Sequence, residues 1–452
     1  MWNPIIDGAL QAQAFETIES IAAAIQKIAN LAVADPKRQS WKAKKKSKRG
    51  SAVSRVKAVT REQANPSLAN GSAGLAILFA YLDRVRCGYR DKETAVYFLD
   101  QAMDAASEGP IDSSLYGGVT GIAWAIAHLR GSLFEANNDV TEAVDEPLQE
   151  ALSRSPWQGD YDLIGGLVGI GVYILEELPS SSAFECLVHL VDRLNELARP
   201  TPDGITWFTS PDLLPPWQRE LCPNGYYNLG VAHGVPGVIA FLAQAYALDE
   251  RKVRDVKKVR TKVRPLLEGA VAWLMAQESS SNGDSFFPNW IGPGIPPTSS
   301  RVAWCYGELG IAAALLIAGN CLSNANWKRE AVRLARRAAA RPFDQSGVTD
   351  CGLCHGTAGV SHLFNRMFQA SHEPRFKNAA REWLERTLDM RHPEVGVAGY
   401  AAFRADHWRN EIGILEGAAG IALALLAAVT PIEPSWDRIL LMSSPHPHTL
   451  GC

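Results

Sequence analysis

Seven times this chain runs through two glycines three residues apart and straight into an apolar stretch. Gly71 and Gly74 lead into Leu75 to Leu82, Gly118 and Gly121 into Ile122 to Leu129, and Gly166 and Gly169 into Ile170 to Leu175. Gly234 and Gly237 precede Val238 to Ala243, and Gly307 and Gly310 precede Ile311 to Ile317. Gly356 and Gly359 precede Val360 to Phe364, and Gly417 and Gly420 precede Ile421 to Leu426. The interval runs from 47 residues (Gly71 to Gly118) to 73 (Gly234 to Gly307), which marks a repeated supersecondary unit. A helix apolar nearly all round must be buried on most faces. Charged amphipathic helices lie between the copies, clearest over Glu93 to Ser107, Ala183 to Leu197, Val263 to Glu278, Trp327 to Arg341 and Pro374 to Arg391. Another, Ala14 to Asn30, precedes the first copy. An open stack of such pairs would expose inner helices at its ends, and closure into a ring removes the ends. The expected fold is all-α: an α/α toroid of seven inner and seven outer helices, with the Gly-x-x-Gly turns on one rim.

The repeats override the length prior. A chain of 452 residues would ordinarily suggest about three domains, whereas one ring uses the whole chain, 1–452, as a single domain. A basic run between Lys37 and Arg61 interrupts it, with too few apolar residues to bury, and reads as a solvated loop at about 36–64 or a docking patch for an acidic partner. The net charge of −3 argues against a nucleic-acid binder. No apolar run reaches the roughly 18 residues of a membrane span, and the N-terminus lacks a signal peptide's basic start and apolar core. Eight scattered cysteines form no disulfide framework. A reducing cytoplasm is therefore expected, where a Cys/His cluster points to metal or catalysis.

The register of the repeats locates such a cluster. One residue before the first glycine stand Asn70, Gly117, Gly165, His233, Tyr306, His355 and Glu416. Two before it stand Ala69, Tyr116, Ile164, Ala232, Cys305, Cys354 and Leu415. Both cysteines thus share one position in consecutive repeats, and both histidines share the next. Equivalent positions of neighbouring repeats meet in a ring, so these side chains converge on one cavity mouth. A thiolate beside an imidazole, as in Cys354-His355, suits Zn²⁺. Singly, Cys305 and Cys354 could be small core residues; the shared register favours a metal. Cys351, Cys87, Cys186, Cys222, Cys321 and Cys452 read as bystanders, and Tyr306 and Trp304 as packing residues. Trp207, Phe208, Trp217, Phe286, Phe287 and Trp290 lie in Pro/Gly-rich loops that either line a peptide groove or simply pack.

All seven glycine repeats, Ala232-His233-Gly234-Val235-Pro236-Gly237, Trp304-Cys305-Tyr306-Gly307 and Cys354-His355-Gly356 resemble the lanthionine synthetase C-like family, whose bacterial members are the lanthipeptide cyclases. The resemblance covers nearly the whole chain. It implies an α/α toroid with one central zinc ion, held by Cys305, Cys354 and His355. It implies His233 and Asp162 as a catalytic pair and Arg301 as the active-site arginine. The reaction implied is Michael addition of precursor-peptide cysteine thiols to dehydroalanine or dehydrobutyrine, giving lanthionine or methyllanthionine rings. The implied partners are a dehydrated precursor peptide, a separate dehydratase and an exporter. The last two could hold the cyclase at the cytoplasmic face of a membrane. The Lys44 to Arg49 cluster departs from the family pattern.

On that reading, zinc leaves one tetrahedral position for the substrate sulfur, and His233 protonates the enolate. Asp162 either orients His233 or takes the thiol proton, and also fits a helix N-cap. Arg301 stabilises the enolate oxygen or the substrate amide, or merely pairs with an acid. Three rivals remain. Cys351-x-x-Cys354-His355 fits a c-type haem attachment, which an absorbance scan would reveal. A family member of the same zinc site adding glutathione to dehydroamino acids would yield no rings. A non-catalytic, zinc-stabilised toroid would not need His233.

Overall fold

The structure, a computed structural model, describes residues 2–33, 65–86, 90–108, 111–133, 141–253, 255–279, 285–296 and 298–443. The basic stretch at about 36–64, Cys87 and Cys452 lie outside these residues.

The chain opens on α1 (Gly8–Val33) and then alternates inner and outer helices. The pairs are α2 (Ser72–Asp83) with α3 (Asp91–Ser107), α4 (Val119–Leu129) with α5 (Glu142–Ser153), and α6 (Leu167–Glu177) with α7 (Ser181–Leu197). After a short helix α8 (Pro216–Leu221) come α9 (Val235–Tyr246) with α10 (Val256–Ala276) and α11 (Glu308–Cys321) with α12 (Ala325–Ala340). Then come α13 (Thr357–Ser371) with α14 (Pro374–Asp389), and finally α15 (Ala418–Val429). Each inner helix packs on the next, and α15 packs on α2, which closes the ring. The seventh outer helix comes from the other end of the chain: α1 covers α15, with Ile5 N–H donating to Ala428 O at 2.9 Å. Helix α5 escaped the sequence reading because Pro147 interrupts its pattern. The all-α expectation holds for the body of the fold.

The glycine pairs have a steric cause. Ahead of each inner helix the chain turns back, so that Val119 N–H donates to Asp112 O at 2.8 Å and Thr357 N–H to Asp350 O at 2.9 Å. That turn brings a carbonyl from six residues earlier against the glycine. A Cβ on Gly118 would lie 2.2 Å from Asp112 O, and one on Gly310 2.3 Å from Trp304 O. Any side chain would prevent the turn.

Main-chain bonds then stitch adjacent turns together along the rim. Cys305 N–H donates to Cys354 O (3.3 Å), Cys354 N–H to Leu415 O (2.8 Å), Leu415 N–H to Ala69 O (3.1 Å) and Ala69 N–H to Tyr116 O (3.0 Å). The opposite end of the ring's axis is filled by the buried 3₁₀ segment Ser435–Leu440. Tyr116 OH donates to Ile439 O at 2.8 Å and Trp304 Nε1 to Leu440 O at 3.0 Å. Asp437 of this segment is buried against Arg366 and His362.

Three two-stranded ladders decorate the connections: β1 (Arg199–Thr201) with β2 (Gly204–Thr206), β3 (Tyr227–Asn228) with β4 (Trp290–Ile291), and β5 (Ala402–Arg404) with β6 (His407–Arg409). Among the described residues no helix is long and apolar enough to cross a membrane.

Candidate metal centre and active site

All seven repeats meet at one cavity of about 930 Å³ on the glycine rim. Its wall includes Ala69 and Asn70, Tyr116 and Gly117, Ile164, Ala232 and His233, Cys305 and Tyr306, Cys354 and His355, and Leu415 and Glu416. These are the two register positions ahead of the first glycine, so the rim ladder delivers equivalent side chains to a common centre.

In repeats five and six those positions carry Cys305, Cys354 and His355, whose donor atoms all lie within 4.8 Å of one another. Two sulfurs on a tetrahedral zinc, each at roughly 2.3 Å, stand roughly 3.7 Å apart, so the cluster fits such an ion. The electrostatics fit as well. A hydrogen bond from the Cys354 thiol, opposed by burial and aided by His355 and Arg301, holds Cys305 well below the usual thiol range. Cys354, which supplies that proton and is buried, is driven well above it. A divalent cation would release the shared proton and make both sulfurs thiolates. Burial works against charge on His355, yet the Cys305 thiolate and the Asp350 carboxylate keep its imidazole above its ordinary value.

Asp350 was not singled out in the sequence. It is buried, with Oδ2 3.8 Å from His355 Nε2. The same carboxylate accepts Gly352 N–H at 3.2 Å and Phe403 N–H at 2.9 Å. It lies six residues before the first glycine, as do Asn65, Asp112, Asp160, Asn228, Arg301 and Glu411. Asn65, Asp112, Asn228 and Asp350 each accept the N–H two residues on, tying down the turn. Arg301 cannot accept. Arg301 lines the cavity instead, and its positive charge favours the thiolates of Cys305 and Cys354. Gly307 of this turn takes φ +98°, and a Cβ there would lie 1.9 Å from Arg301 O.

His233 lines the same cavity from the repeat before Cys305, its side chain 43% exposed. Its Nδ1 is hydrogen-bonded to Asp162 Oδ2. The other oxygen, Oδ1, accepts Gly165 N–H at 2.7 Å. Asp162 therefore braces a turn and the imidazole together; the helix N-cap is Gly166. Burial disfavours the imidazolium, but the Asp162 bond and charge, with Asp160 and Cys305 behind them, raise the His233 pKa above normal. Asp160, also missed in the sequence, is pushed up to about 7 by burial and by the neighbouring Asp162 charge.

Tyr306 lines the cavity, its hydroxyl accepting from Asn228 Nδ2 at 3.1 Å, whereas Trp304 is buried packing. Glu416 faces the cavity and pairs with Arg404 at 3.4 Å. None of the six loop aromatics lines it: Trp207 and Phe287 are buried and Trp217 is exposed. Cys351 is buried toward Thr387 and Met390, and burial pushes its thiol up to about 12. It stands apart from the Cys354/His355 cluster, unlike a haem-attachment pair.

A family model described as lanthionine synthetase C-like protein matches residues 62–441. The nisin biosynthesis protein NisC of Lactococcus lactis subsp. lactis is 25% identical over 403 residues, covering 83% of this chain and 88% of NisC. A solved structure of nisin cyclase superposes with a TM-score of 0.66 at 22% identity, covering 84% of this chain and 93% of that one.

Proposed function

Since the chain belongs to the lanthionine synthetase C-like family, we propose that it is a zinc-dependent lanthipeptide cyclase. It adds cysteine thiols of a dehydrated precursor peptide to dehydroalanine or dehydrobutyrine. The observation that carries the reading is the meeting of Cys305, Cys354 and His355 with His233 in one cavity walled by all seven repeats.

Cys305, Cys354 and His355 would hold the ion. Zinc, when bound there, would lower the pKa of an incoming thiol, whose proton leaves to the solvent of the open cavity before the sulfur adds. The residues of the chain supply the rest. The new C–S bond forms at the β-carbon, and the electron pair moves to the carbonyl oxygen as an enolate. Arg301 faces that oxygen and stabilises its charge. Asp162 fixes the ring of His233 through Nδ1, which leaves Nε2 as the cavity-facing donor. His233 delivers its proton to the α-carbon and completes the thioether. The peptide reaches the cavity already dehydrated at Ser and Thr, and we assign that prior step to a separate dehydratase. A cytoplasmic complex with that dehydratase and an exporter is the expected setting.

The test is Cys354→Ala on the full chain. The variant should lose zinc by elemental analysis and lose ring formation, scored by alkylation of unreacted thiols and mass spectrometry. Its far-ultraviolet circular dichroism should remain helical. Full zinc occupancy in the variant would sink the ligand assignment.

A further inference from the structure

The β5–β6 hairpin hangs over one side of the cavity. Its turn end, Phe403, Arg404, Ala405 and Asp406, is part of the cavity wall. Ala405 and Asp406 have φ +48° and +64°, as a two-residue hairpin turn requires. In such a hairpin the closing pair, Arg404 and His407, exchanges the main-chain bonds. The next pair, Phe403 and Trp408, therefore points its N–H and C=O groups away from the ladder. On the β5 side the outward Phe403 N–H is taken by Asp350 Oδ2 at 2.9 Å. That anchors this edge to the carboxylate behind His355. On the β6 side no group among the described residues bonds the Trp408 main chain. All three residues of β6 are exposed, and Trp408, with its indole against the Phe403 ring, is 57% exposed. An open strand edge beside a large exposed aromatic is a template for another strand.

We propose that an extended segment of the peptide substrate pairs with the β6 edge at Trp408, which leads its reacting residues past Arg404 and Asp406 into the cavity. The inference rests on the peptide-cyclase reading above. Continuity decides the occupant, because the open edge and the cavity wall are one hairpin. Charge is balanced along it: Arg404 pairs with Glu416, and Arg404 and Arg409 both face Glu411. The edge therefore reads main chain and bulk rather than charge.

The test uses a fluorescein-labelled decapeptide of alternating Val and Thr with a central Cys, its binding followed by fluorescence anisotropy. A scan of single N-methyl amides should weaken binding about tenfold at the one amide opposite Trp408 and little at the others, because Trp408 is the one residue of this three-residue strand whose main chain faces outward. Trp408→Ala should cost about tenfold, and Trp408→Tyr should restore most of it. The Cys354→Ala protein should keep the same sensitive amide, so that docking is read separately from zinc chemistry. Binding indifferent to every N-methyl amide and to Trp408→Ala, or a sensitive amide that disappears with Cys354, would overturn the proposal.

Discussion

Asp162→Asn isolates the proton-delivery step from the metal. The carboxylate has two jobs, one oxygen on Gly165 N–H and the other on His233 Nδ1. Asparagine can keep the first bond through its carbonyl oxygen. Its amide then offers N–H to His233 Nδ1, which must become an acceptor. The imidazole is left neutral, with its proton on Nε2, and a neutral imidazole is a poor acid. A hydrogen bond between charged groups is worth about 1.5–3 kcal/mol, or roughly 10- to 100-fold in the population of the cationic ring. General acid catalysis as a whole contributes roughly 10²–10⁴. The cyclisation rate should therefore fall at least tenfold and by no more than about 10⁴-fold. The pH profile carries the sign. The wild-type His233 pKa is raised, so its cation, and the stability this pair contributes, is present below the unfolded value and lost as pH rises through the folded one. The alkaline limb of single-turnover cyclisation should move to lower pH in the variant. Zinc content should not change, because Asp162 lies outside the cluster. A variant within threefold of wild type, with an unmoved alkaline limb, would refute His233 as the donor.

Asp350→Asn should weaken zinc binding by about 10- to 100-fold in chelator competition, because it removes the carboxylate behind His355; affinity within twofold of wild type would remove Asp350 from the site. Gly310→Ala forces a Cβ to 2.3 Å from Trp304 O, one residue from Cys305. It should cost about 1–3 kcal/mol in urea unfolding and ease zinc release. Trp436→Ala empties a fully buried position of the central segment and should cost about 3–5 kcal/mol; a loss under about 1 kcal/mol would mean that the segment is not integral to the ring.

The inner ring was legible because its signal is steric. A Gly-x-x-Gly pair followed by a helix without a polar face has few other solutions. The closing partnership of α1 with α15 was not legible, since nothing in the amphipathic pattern of α1 names its partner. Nor was the central segment, because Ser435–Leu440 is a 3₁₀ turn too short to show a period. The cluster residues were readable from register together with residue type. Asp160 and Asp350 were not, although they occupy one register position. In most repeats that position does turn-bracing work, and only the fold shows which of its carboxylates stand behind His233 and His355.

The site is thus made of departures from the repeat. A ring of seven equal turns would present seven equal side chains to its centre and have no chemistry. Repeats five and six place cysteine where others place Ala, Tyr, Ile or Leu; repeats four and six place histidine; repeat five replaces the bracing acceptor with Arg301. Each departure is local, because the glycines and rim bonds hold the turn whatever the side chain ahead of them. The turn at Arg301, which has no acceptor at that position, has its own backbone at Gly307, φ +98°, and still carries the rim bond from Cys305 N–H to Cys354 O. A scaffold whose turns are fixed by main-chain contacts can change its central side chains independently, which is how three metal-ligand candidates and a candidate proton donor come together from three neighbouring repeats.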